Sequence, residues 1–117
     1  MGRYVDGFVV PVPKAKRAAY IKMARLGCKI WKEYGALEYH ECMADDVKPG
    51  KVTSFPQSVK LKRNEEVWFS WIVYKSRADR DRIMKKVMAD PRMAEFNPMP
   101  FDGKRMFWGG FTEKVTG

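Results

Sequence analysis

An α+β fold with the element order β-α-β-β-α-β is predicted, and three observations carry it. Residues Glu66 to Tyr74, EVWFSWIVY, are almost all β-branched or aromatic, with no Gly or Pro inside the run. That is the signature of a central strand packed on both faces. Two segments, Lys14–Tyr34 and Arg77–Ala89, repeat apolar residues at helical spacing. Shorter strand-like runs precede and follow them.

The first strand is Arg3 to Val12, RYVDGFVVPV. Val5, Gly7 and Val9 share one face, and Tyr4, Asp6, Phe8 and Val10 share the other. Asp6 is out of place there, because Asp is depleted from strands. Pro11 and Pro13 end the strand, and Pro13 suits a first helical position. The first helix then runs to Tyr34, with Gly35 as a natural residue just past its end. Tyr20, Met23, Gly27, Ile30, Trp31 and Tyr34 fall on one stripe, and Lys14, Lys22, Arg25, Lys29 and Lys32 on the opposite one. The basic stripe reads as a solvated face, with a polyanion-binding face as the alternative.

The second strand is Ala36 to Ala44, with Glu38, His40 and Cys42 on one face and Tyr39, Glu41 and Met43 on the other. Glu, His and Cys are metal-ligating types. Same-face neighbours on a strand stand ~7 Å apart, so these three cannot close on one ion without a second strand. No C-x-x-C or H-x-x-x-H pair supports a metal, and no cofactor is expected. Asp45 to Asn64 is a long polar connection, in which Lys51–Phe55 and Ser58–Leu61 are expected to pair as strand pieces. Such loops are often functional or cover a partner surface.

After the central strand, Ser76 caps the second helix, whose apolar stripe is Ile83, Met84, Val87 and Met88. Arg80 lies on that stripe. Aimed inward, it needs a carboxylate, and Asp6 and Asp102 are the candidates. Otherwise its stem is buried and its head reaches water. Asp90-Pro91-Arg92 breaks the helix and opens a short turn of helix to Phe96. The last strand is Lys104 to Lys114, with Gly109-Gly110 marking a bulge or a close backbone approach. The order is that of the split βαβ, or ferredoxin-like, plan: a four-stranded antiparallel sheet with two helices on one face.

The 117 residues make a single domain, 1–117, with enough apolar content to fold without a disulfide or metal. Two cysteines, Cys28 and Cys42, are too few for a disulfide framework and point to a cytoplasmic protein with reduced thiols. No apolar run reaches the ~20 residues of a membrane span, and no signal-peptide pattern opens the chain. The net charge of +9 suits an anionic partner in general terms.

The helices would cover one sheet face while the strands are apolar on both. The uncovered face, carrying Phe8, aromatics of the third strand and Met106 or Phe107, must then be hidden by a second copy, a ligand or stacked bases. A homodimer is the expectation. A pocket between the sheet and its helices or partner sheet would mix apolar walls with few polar groups. Asp6, Phe8, Glu41, Trp68, Ser70 and Arg80 are the candidates to line it, with Trp71 the alternative to Trp68, since either strand face qualifies. A desolvated Asp6 or Glu41 is a candidate general base. The competing readings are an interaction protein with no chemistry and an RNA-binding module. WFSWIVY lacks the basic residue and glycines of the RNA-recognition third strand, and the basic stripe lies on the helix side, which argues against RNA.

The segments YVDGFVVPVP, ECMADDVKPGKVTSF, FSWIVYKSRADRD, MADPRM and MPFDGKRMFWGGF resemble the YbaA-like family of uncharacterised bacterial proteins over nearly the whole chain. That family, a domain of unknown function, is similar in plan to the dimeric α/β-barrel superfamily, in which two ferredoxin-like subunits set their sheets face to face. Superfamily members include cofactor-free monooxygenases, haem-degrading enzymes and ligand binders. The resemblance implies a fold and a dimer, and transfers no catalytic residues.

Overall fold

In the computed structural model, which describes residues 2–117, a four-stranded open antiparallel sheet carries helices against one face. The strands are β1 (Tyr4–Pro13), β2 (Glu38–Met43), β3 (Glu65–Tyr74) and β4 (Phe107–Thr112), in the spatial order β2-β3-β1-β4. The helices are α1 (Arg17–Glu33), α2 (Phe55–Ser58) and α3 (Arg77–Met88), with 3₁₀ turns at Lys14–Lys16 and Pro91–Phe96. The longest strands, β1 and β3, are central, as their apolar character requires.

Helices α1 and α3 pack on the same side of the sheet. Ile30 and Trp31 of α1 and Ile83 and Val87 of α3 meet Ile72 and Tyr74 of β3 in one buried cluster. The Ser76 hydroxyl caps α3 by accepting from Asp79 N at 3.1 Å, satisfying one of the free amides of its first turn. Helix α1 has no side-chain cap and enters through the 3₁₀ turn instead. It approaches β2 closely because Gly27 has no side chain: a Cβ there would lie 2.6 Å from the Tyr39 hydroxyl.

Two local expectations are corrected, and for Gly109-Gly110 the close-approach alternative holds over the bulge. Phe55–Ser58 forms the short helix α2 rather than part of a strand pair, because the Ser54 hydroxyl accepts from Gln57 N and Pro56 sits in the first turn. Strand β4 begins at Phe107, not Lys104, because Asp102 captures Lys104 N and Arg105 Nε, both at 2.9 Å, in the preceding turn. Gly109-Gly110 makes no bulge, since the β1–β4 register runs unbroken from Tyr4↔Thr112 to Val9↔Phe107. Gly110 serves close approach instead: a Cβ there would collide with the Tyr4 hydroxyl and the Arg80 guanidinium.

The outer sheet face is half covered. Ala44, Val59 and Leu61 of the long connection pack over Val9 and Val67. Beyond them Phe69, Phe107 and Phe111 stay exposed. Phe8 and Met106, expected on this face, lie on the helix side, against Val10, Tyr20 and Trp68.

Candidate functional site

Strand register sets one row of side chains across all four strands on the helix side. Glu41 pairs with Ser70, Ser70 with Phe8, and Phe8 with Trp108. This row is the floor of a cavity of about 340 Å³. Ser70, the smallest side chain in the row, leaves the hollow between Glu41 and Phe8. Tyr20 and Trp31 of α1 form one wall. Met23 of α1 joins that wall, and the rest of the lining and the mouth are rich in methionine: Met84, Met88, Met93, Met99 and Met106. Met88 and Met99 are about half exposed and so stand at the opening. Methionine is unbranched and polarizable, and suits a lining that must adapt to its contents.

Two ionic clamps hold segments bearing that lining. Arg92 bonds Glu33 at 2.7 Å and Asp90 at 2.8 Å, and the Tyr34 hydroxyl donates to Asp90 at 2.7 Å. These contacts tie the 3₁₀ turn Pro91–Phe96 to α1 and hold the Asp90 carboxyl well below its usual range, Arg92 acting most strongly. Arg105 bonds Glu65 at 2.8 and 2.5 Å and also Asp102, fixing the turn before β4.

The polar end of the cavity is Glu41. Its Oε1 accepts from the Tyr20 hydroxyl at 2.8 Å and its Oε2 from the Tyr39 hydroxyl at 3.4 Å. Burial pushes the Glu41 carboxyl up, against the lowering effect of its hydrogen-bond donors. Burial beside that carboxylate pushes both tyrosines up as well, so they remain donors. A desolvated carboxyl held by two donors can bind a ligand's polar group or exchange a proton with it.

Of the six residues picked out from sequence, Phe8, Glu41 and Ser70 line the cavity. Trp68 lies one row along, its ring packed on Tyr20 at 4.9 Å and its Nε1 donating to Glu66 at 3.0 Å, so Tyr20 stands between it and the cavity. Trp71 lies on the opposite face, stacked on His40 at 4.5 Å. Asp6 and Arg80 form an ion pair at 3.1 Å in the neighbouring row. Arg80 also bonds Tyr4 at 3.3 Å and Asp81 at 2.8 Å, and lies 5.7 Å from the Trp108 ring, which connects the pair to the cavity edge. Asp102 pairs with Arg105 instead. Asp6 has no solvent exposure, and its Oδ2 has no hydrogen-bond partner among the described residues. Burial pushes its carboxyl up despite the nearby Tyr74 hydroxyl and Arg80.

On the outer face His40 bonds Glu38 at 2.9 Å, and Arg3 bonds the same carboxylate at 3.0 Å. Among the described residues no group of three or more His, Cys, Asp or Glu could hold a metal ion, and no helix is long and apolar enough to cross a membrane.

Residues 3–103 match the family described as "Protein of unknown function (DUF1428)". The chain belongs to that family. It is 56% identical over 110 residues to the uncharacterized protein YbaA of Escherichia coli strain K12, covering 93% of this chain and 94% of that protein. YbaA of Shigella flexneri matches to the same extent. Among solved structures, a NIPSNAP family protein with unknown function from Agrobacterium tumefaciens aligns with a TM-score of 0.55 at 17% identity, over 96% of this chain and 88% of that one. At that identity the likeness is one of fold alone.

The cavity residues not picked out as site candidates from the sequence include Tyr20, Tyr39, Trp108 and the methionines. Tyr39 shares strand parity with Glu41, and Trp108 faces Phe8, so strand alternation plus register would have found both. Eight methionines in 117 residues, five of them after residue 83, were the compositional signal for the methionine lining.

Proposed function

We propose that this DUF1428 member is a homodimer of ferredoxin-like subunits, assembled as a dimeric α/β barrel, and that each subunit binds a small apolar molecule beneath its helices. The carrying observation is the 340 Å³ cavity with a single, partly buried carboxyl at one end. That volume falls in the roughly 300–1,000 Å³ range of small-molecule sites, and its mostly apolar lining with few placed polar groups is what such sites show. An interaction protein with no ligand would have no need of the space. Glu41 is the candidate general base of this site, so the ligand is open to transformation as well as binding.

The exposed Phe69, Phe107 and Phe111, with Trp71 of β3 beside Phe69 at 5.6 Å, support the dimer. The outward-facing strand residues include no Lys or Arg, which favours a second copy over nucleic acid. The cavity is tested with N-phenyl-1-naphthylamine, a neutral apolar dye that brightens on leaving water. The wild-type protein should enhance its emission saturably, and Ser70→Phe, which fills the floor, should abolish this. Equal enhancement by both proteins would remove the cavity from consideration.

A further inference from the structure

Everything charged in this cavity has one sign. Among the described residues that line it there is no Lys, Arg or His, and Glu41 is the one acid. The carboxyl is bonded by neutral hydroxyls, those of Tyr20 and Tyr39 foremost, and by no cation among the described residues. Two bases border it: Arg25, exposed in the adjoining hollow that also touches Tyr39 and Glu41, and Arg80, 5.7 Å from the Trp108 ring but already paired with Asp6 and Asp81; neither makes an ion pair with Glu41 among the described residues. Seven aromatic rings also border the space, three on the sheet (Phe8, Tyr39, Trp108) and the rest on α1 and the 96–101 segment. Aromatic faces carry partial negative charge, so they add to the field of the carboxylate.

From this arrangement we infer that the ligand is a lipophilic organic cation, an aryl-alkyl amine or quaternary ammonium, whose charge sits at Glu41 and whose apolar body lies among the methionines. The inference rests on the cavity reading above and deepens it. An anion would meet Glu41 with no counter-charge, at a cost from like-charge contact. A neutral ligand would leave the carboxyl to shed its charge by taking up a proton. A cation supplies it, gains attraction from the ring faces, and needs no ordered donor array of its own. The whole-protein charge of +9 works against cations in bulk, so a preference for one must arise locally.

The experiment displaces bound N-phenyl-1-naphthylamine with three competitors of similar size: benzyltrimethylammonium, its uncharged isostere neopentylbenzene, and phenylacetate. Wild-type protein should release the dye to the cation at concentrations roughly tenfold below those for the isostere, with phenylacetate weakest. In Glu41→Gln, whose side-chain oxygen still accepts from Tyr20, cation and isostere should become equal. If the isostere displaces as well as the cation in the wild type, or if the cation's advantage survives Glu41→Gln, the cation inference is overturned while the cavity reading stands. If the dye binds Ser70→Phe as well as wild type, the cavity reading falls and this inference with it.

Discussion

Arg80→Met tests the buried pair that joins α3 to β1. The substitution keeps the apolar stem and removes the guanidinium that faces Asp6, a carboxyl with no solvent exposure and one oxygen already unbonded. Removing one partner of a buried pair typically costs about 3–5 kcal/mol, because the charge left behind is uncompensated. Unfolding entropy of about 2.1 cal/mol/K per residue over 117 residues is about 0.25 kcal/mol/K, so the melting temperature should fall by about 12–20 °C. The loss should depend on pH. Burial raises the Asp6 carboxyl in the fold, with Tyr74 and Arg80 opposing and Asp81 reinforcing. A raised carboxyl binds its proton more tightly folded than unfolded, so its contribution is most favourable below the ordinary value of about 3.9 and declines as pH rises toward the folded value. Without Arg80 that window widens, and the gap between variant and wild type should narrow on moving from about pH 8 to pH 5. Urea unfolding followed by tryptophan fluorescence at both pH values measures this, with Arg25→Ala on the exposed face of α1 as a control expected within about 0.5 kcal/mol of wild type. A loss below about 1 kcal/mol, equal at both pH values, would refute the account of Asp6 and Arg80 as a buried charged pair.

Gly110→Ala should destabilise by forcing the Arg80 head off Asp6. In the double variant with Arg80→Met the two losses should fall short of additive, and full additivity in thermal melts would mean the glycine serves something else. Asp90→Asn should flatten the acid limb of stability: a depressed carboxyl stabilises above about pH 3.8 and loses that contribution as pH falls through its folded value. An unchanged acid midpoint would show that the Arg92 clamp contributes nothing. Phe69→Lys with Phe111→Lys should convert a sedimenting dimer into a 13.6 kDa monomer. A wild type that already sediments as monomer at micromolar concentration would dispose of the barrel.

The sequence by itself determined the strands and helices, and which side chains share a face. Apolar alternation through EVWFSWIVY and the 3.6-residue stripe of α1 are local properties of the chain, and they survive folding intact. It also marked Asp6 and Arg80 as misfits in search of partners, because a charge on an apolar face is legible without coordinates. Only the tertiary structure decided that these two answer each other while Asp102 takes Arg105, since both carboxylates were equally available along the chain. It alone brought Glu41, Ser70, Phe8 and Trp108 into one row, because inter-strand register joins residues up to 67 positions apart. The methionines come from α1, α3, the Pro91–Phe96 turn and the irregular chain on either side of Phe101, and a stripe on one helix does not tell which other segments it will meet. Their convergence is set by which helix faces meet and by the two arginine clamps, pairings between distant segments that no local periodicity records.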